Sequence, residues 1–86
     1  MNKRWADSAW DDYLYWQAQD KKTLKKINEL IKDIERNGVS SGIGKPEPLR
    51  YRKAWSRRID ERHRLVYDID ENGYLLIYSC YGHYED

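Results

Sequence analysis

Three places in this 86-residue chain carry side chains suited to transferring a phosphodiester. Glu47 stands between Pro46 and Pro48. The proline rings restrict the backbone on both sides, so the carboxylate is offered with little conformational freedom. Arg58 and Arg64 lie on two successive segments of alternating polarity, and their planar guanidinium forks match phosphate oxygens. His83 and Tyr84 follow the last such segment, and an imidazole can give or take a proton at neutral pH. RNA can be cut with groups of these kinds. Its 2′-hydroxyl attacks the adjacent phosphate and the 5′-oxygen leaves. The reaction needs a base, cations for the phosphorane and an acid for the leaving oxygen. Glu47, the arginine pair and His83 supply one candidate for each role.

Each residue also has a plainer reading. A lone glutamate is more often a surface carboxylate, and an exposed arginine is usually solvated or weakly paired. His83 alone reads as a tail residue and Tyr84 as packing. His63, in alternation with Leu65, is expected to face the core in a structural role. The residues by themselves support a phosphate-binding surface on an α+β domain and leave its use open.

Other chemistries find less support. Gly42-Ile43-Gly44-Lys45 is too short for a phosphate-cradling loop. Two histidines and one cysteine are too scattered for zinc, and no carboxylate cluster suggests magnesium. No metal or other cofactor is therefore expected. The single cysteine, Cys80, allows no internal disulfide. No apolar run approaches the roughly 20 residues of a membrane span. The first residues lack the apolar stretch of a secretory signal. A cytoplasmic protein with no membrane partner is expected.

The formal net charge of +1 conceals an asymmetry. Residues 50–64 carry a net of +5, whereas residues 65–86 carry −5 and contain no Lys or Arg. A local basic zone of this kind attracts phosphates even on a near-neutral protein. Four Trp and eight Tyr with no Phe give the chain many rings with a polar tip, suited to a thin core and to base stacking.

The positioning elements follow from periodicity. Residues 3–6 suggest a short strand made polar by Arg4. Ser8 suggests a cap for a helix over about 8–18, with Trp10, Tyr13, Leu14 and Trp16 at helical spacing. Asp20 is a plausible N-cap for a second helix ending at Asn37-Gly38, with Leu24, Ile27, Leu30, Ile31 and Ile34 on one stripe. The glycines and prolines of residues 38–48 predict a loop. The period then becomes two. Trp55, Arg57 and Ile59 alternate with Ser56, Arg58 and Asp60; Leu65, Tyr67 and Ile69 alternate with Arg64, Val66 and Asp68. After Asn72-Gly73, a hairpin signal, Leu76, Tyr78 and Cys80 alternate with Leu75, Ile77 and Ser79. Two helices followed by a three-stranded antiparallel meander predict one α+β domain over residues 1–86, with the helices on one face of the sheet.

Longer stretches carry a resemblance. Trp10-Asp11-Asp12-Tyr13-Leu14-Tyr15-Trp16-Gln17 resembles the first helix of the YoeB toxins, a branch of the RelE superfamily. Lys26-Ile27-Asn28-Glu29-Leu30-Ile31-Lys32-Asp33-Ile34 resembles their second helix, and Gly42-Ile43-Gly44-Lys45-Pro46-Glu47-Pro48-Leu49 their loop. Trp55-Ser56-Arg57-Arg58-Ile59 and His63-Arg64-Leu65-Val66-Tyr67 are similar to their central strands, and His83-Tyr84 to their terminal pair. The chain departs from the family pattern at Arg4, in a shorter and more basic 50–54 segment, at Tyr81-Gly82, and in Glu85-Asp86 after the tyrosine.

The resemblance implies a RelE-like fold and a toxin of a type II toxin–antitoxin pair. It implies ribosome-dependent cleavage of messenger RNA in the decoding site, leaving a 2′,3′-cyclic phosphate. Glu47 would be the general base, His83 the general acid, Arg64 the phosphorane-stabilising cation and Arg58 its assistant. Tyr84 would orient or stack on the substrate. Lys45 and Arg50 would contact RNA backbone, and Arg57, from the same basic zone, is expected to join them. The implied partners are the 70S ribosome with its messenger RNA, and a YefM-type antitoxin whose acidic C-terminal segment covers the site. Operator DNA would be met only through the antitoxin complex, and a homodimer is allowed. Two other readings stand beside this one: a ParE-like, non-catalytic inhibitor of gyrase, and a module that binds nucleic acid without cutting it.

Overall fold

The second helix shows most directly how the sequence builds the fold. Asp20 caps it, its carboxylate accepting from the N–H groups of Lys22 and Thr23. Ile27, Leu30, Ile31 and Ile34 then fall on one buried face while the lysines stay at the surface or its margin. The helix stops at Gly38, in the left-handed region at φ 85°. In this computed structural model, which describes residues 1–83, the elements run β1 (Lys3–Trp5), α1 (Asp7–Gln19), α2 (Lys21–Asn37), β2 (Glu47–Pro48), β3 (Trp55–Arg58), β4 (Arg64–Ile69) and β5 (Leu75–Ser79).

The strands form one sheet in the order β1-β5-β4-β3-β2. β3, β4 and β5 make the expected antiparallel meander. β1 adds to its far edge in parallel with β5. Both helices pack on one face, where Ala9, Trp16, Ile27, Leu30 and Ile34 meet Leu65, Tyr67, Leu75 and Ile77. This is the expected α+β, RelE-like arrangement. Among the described residues, no helix is long and apolar enough to cross a membrane.

Three local expectations need correcting. Ser8 does not cap α1; the N-cap is Ala6, with no side-chain cap, and the Ser8 hydroxyl donates instead to the Tyr78 carbonyl. Trp10 and Leu14 lie outside the core, 45% and 41% exposed, because the face of α1 turned to the sheet runs through Ala9, Tyr13 and Trp16. The 38–48 loop ends in a two-residue strand, with Glu47 opposite Ser56 and Pro48 opposite Trp55. A proline is tolerated there because β2 is an edge strand.

Sheet register separates two faces of β3 and β4. Trp55 pairs with Tyr67 and Arg57 with Leu65 on the helix side, whereas Ser56 pairs with Val66 and Arg58 with Arg64 on the other.

Candidate functional site

The outer face of β3 and β4 floors a cleft of about 310 Å³ lined by Glu47, Pro48, Leu49, Arg50, Ser56, Arg64 and His83. Four of the sequence-derived candidates thus meet in one place, brought from β2, the turn after it, β4 and the segment after β5. Glu47 reaches the cleft through its ladder with Ser56. Ser56 is buried beneath it, a floor residue that sequence reasoning missed although its alternation with Arg58 pointed to the same face. A larger groove of about 480 Å³ follows the outside of α2, lined by Lys25, Asn28, Glu29, Lys32, Asp33, Arg36 and Ile43. It holds none of the converging groups, so size does not mark the site here.

Arg64 is the least exposed charged group lining the cleft. Its side chain is only 14% exposed, and Nη1 lies 3.8 Å from Glu47 Oε2. That gap allows attraction but is too long for a hydrogen bond. Nη1 is hidden from solvent and makes no hydrogen bond to any described residue. Burying a charged donor unsatisfied is costly, so native proteins do it where a ligand or function requires it. Glu47 is more than half exposed, so this pair contributes little to stability. Arg58, directly opposite Arg64 in the ladder, is exposed on the same sheet face and adds positive potential there. Lys45, also exposed, is the one described non-glycine residue with positive φ, at 52°.

Arg57 requires a correction. It was expected to touch RNA backbone, yet its side chain is 0% exposed. All five guanidinium N–H groups are used inside the protein. Nε donates to the Tyr67 hydroxyl, Nη1 to Asp33 and the Ile43 carbonyl, and Nη2 to the carbonyls of Gly38 and Ser41. The alternation with Trp55 and Ile59 was the correct signal; the count of basic residues pulled the other way. Burial acts to raise the Asp33 carboxyl, but hydrogen bonds from Arg57, the Ile43 N–H and Asn37 outweigh it and hold its pKa below the ordinary value.

This network fastens the loop that leads to Glu47. Gly42 and Gly44 both have positive φ, and a side chain at either would strike Asp33, Arg57 or Leu30. The Gly44 carbonyl accepts from Arg58 N–H at 2.7 Å, which sets the loop against β3 just before the ladder of Glu47 begins.

The other end of the site is fastened differently. His63 lies against Trp16 and Tyr81, in the structural role expected of it. Cys80 is buried, and burial followed by the Asp12 charge pushes its thiol up to about 12, so it stays protonated and unreactive. Tyr84, expected to orient substrate, lies outside the described residues.

Fold and cleft together define a small α+β domain with a cationic groove opposite its helices. Comparison with known proteins gives the family. The model for the "YoeB-like toxin of bacterial type II toxin-antitoxin system" matches residues 5–84. Toxin YoeB of Escherichia coli (strain K12) is 55% identical over 86 residues, covering 98% of this chain and 100% of that protein. A YoeB–YefM complex from Staphylococcus aureus aligns with a TM-score of 0.89 and 49% identity, covering 98% of each chain. The YoeB dimer from Staphylococcus aureus aligns with a TM-score of 0.91 and 49% identity, again covering 98% of each. The chain belongs to the YoeB family of toxins from bacterial toxin–antitoxin systems.

Proposed function

We propose that the cleft cuts messenger RNA on the ribosome. The observation that carries this reading is the buried Arg64 Nη1, without a hydrogen bond among the described residues and 3.8 Å from the Glu47 carboxylate, in a cleft that His83 also lines. A phosphate oxygen would satisfy that donor.

Glu47 takes the proton of the 2′-hydroxyl. The freed oxygen bonds to the adjacent phosphorus, and Arg64, assisted by Arg58, offsets the charge on the phosphorane. The bond from phosphorus to the 5′-oxygen then breaks, and protonated His83 gives its proton to that oxygen. The products are a 2′,3′-cyclic phosphate and a 5′-hydroxyl. These side chains supply base, charge and acid, so the step calls for no metal ion. Lys45 and Arg50 hold the RNA backbone on either side, and Tyr84 stacks on or orients the substrate. The 70S ribosome presents the messenger in its decoding site and so supplies the positioning that a shallow cleft lacks.

The same reading gives the chain a YefM-type antitoxin, whose acidic C-terminal segment covers the basic cleft, and allows a homodimer. The solved relatives with those assemblies support it. Operator DNA is reached only through the antitoxin complex. Primer extension on translating ribosomes tests the activity. Cuts in phase with codons should appear with the wild-type chain and slow by about 10²-fold or more with His83→Ala. Gyrase-dependent DNA breaks, or RNA binding without cuts, would replace this reading with one of its rivals.

A further inference from the structure

We infer that His63 is a positioning residue for His83: its imidazole holds the backbone one residue before the proposed acid. The inference rests on the cleavage reading for its chemistry but on separate geometry for its structure.

The β4–β5 ladder ends at Ser79, four residues short of His83. Beyond it, among the described residues, the backbone of Cys80 and Gly82 is fastened by four hydrogen bonds, three of them made by side chains. Asp12 accepts from Cys80 N–H at 3.0 Å. Trp16 Nε1 donates to the Cys80 carbonyl at 2.8 Å. Gly82 N–H donates to His63 Nδ1 at 2.8 Å, and the Gly82 carbonyl accepts from Arg64 N–H at 3.0 Å. Gly82 is therefore gripped on both sides by the dipeptide His63-Arg64. Its next residue is His83, in the cleft.

His63 is itself well anchored. Its backbone N–H donates to Asp60 Oδ1 at 2.7 Å, and its carbonyl accepts from Ile59 N–H at 2.9 Å. Its ring packs on Trp16 and Tyr81, with centroids 4.7 and 4.8 Å away. Accepting from Gly82 leaves the ring proton of a neutral imidazole on Nε2, so the ring acts as a fixed acceptor at Nδ1. One dipeptide thereby sets the spacing between the phosphate-binding cation and the proton donor. Acid catalysis depends steeply on that spacing.

The test uses two substitutions. His63→Leu keeps bulk and removes the acceptor, whereas His63→Asn keeps an oxygen able to accept from Gly82. With programmed ribosomes, His63→Leu should lower kcat by about 10²-fold and leave KM within about twofold, the pattern of a displaced catalytic group. His63→Asn should recover most of the rate. In a His83→Ala background, His63→Leu should cost nothing further, because the group it positions is gone. Equal losses in both backgrounds, or an Asn variant no better than Leu, would overturn the inference. A second arm needs no RNA. In the isotope-labelled chain alone, His63→Leu should speed hydrogen exchange at the Gly82 amide and shift the His83 ring signals, and His63→Asn should restore both. Unchanged His83 signals in His63→Leu would overturn the inference even if the wild-type chain proved to cut no RNA, an outcome that would sink the cleavage reading by itself.

Discussion

Arg57 and Arg64 lie on adjacent strands of one sheet, and both side chains are withdrawn from water. They face opposite sides, and their hydrogen bonding differs completely. Arg57, on the helix side, has every donor satisfied by Asp33, Tyr67 and three carbonyls. Arg64, on the open side, keeps Nη1 unbonded among the described residues and has a carboxylate near but not touching it. A buried guanidinium with five partners is structural: its directional bonds are complete, and a ligand has nothing left to satisfy. A buried guanidinium with an unmet donor carries a cost that a carboxylate at 3.8 Å offsets only in part, and a site is where such a cost is tolerated. Completeness of bonding, rather than charge or sequence neighbourhood, separates the two.

The contrast makes graded demands. The largest effect should come from Arg57→Leu, which leaves the nearly enclosed Asp33 carboxylate and the carbonyls of the 38–44 loop without their donor. Breaking such a pair costs about 3–5 kcal/mol, so the thermal midpoint should fall by more than about 10 °C, as calorimetry would show. A midpoint close to wild type would mean the network is dispensable. Arg64→Ala should do the reverse: cleavage on translating ribosomes slower by about 10²-fold or more, with stability changed by less than about 1 kcal/mol. Cleavage at the wild-type rate would remove Arg64 from the site. Arg58→Ala should slow cleavage less than Arg64→Ala, and its deficit should shrink as salt rises, because this side chain stands in solvent where charge is screened. A salt-independent deficit would place Arg58 in direct contact with the phosphate.

The subtlest demand concerns acid. Asp33 has a folded-state pKa below its unfolded value of about 3.9, so its stabilisation is present above that value and lost as pH falls through the folded one. Urea unfolding at pH 7 and pH 3 should therefore show a smaller loss for Asp33→Asn than for the wild-type chain. Equal losses would show that acid sensitivity arises elsewhere.

Much of this was legible in the sequence, for physical reasons that differ by element. The apolar stripe of α2, its Asp20 cap and its Gly38 stop are local signals, and the structure carries all three. Strand alternation placed Arg58 and Arg64 on one face, and the register pairs them directly. The same alternation put Arg57 inside, but its five partners come from α2, the following loop and β4, and no local pattern announces them. The strand at Glu47 was hidden because two residues are too few to show a period. The start of α1 was hidden because Ser8 looked like a cap while Ala6 holds that position. The hold on the last segment was also out of reach, since Asp12, Trp16 and His63 meet residues 80–82 only through tertiary packing.

The convergence of Glu47, Arg64 and His83 on one phosphodiester is tested most directly by a structure of the chain on a ribosome programmed with messenger RNA. The RNA should carry a 2′-O-methyl group at the cut site, so that it binds but cannot react. The expected result has a non-bridging oxygen of that phosphate within hydrogen-bonding distance of Arg64 Nη1, the Glu47 carboxylate at the blocked 2′-oxygen, and the His83 imidazole at the 5′-oxygen. A scissile phosphate bound away from Arg64, with Glu47 and His83 facing elsewhere, would contradict it.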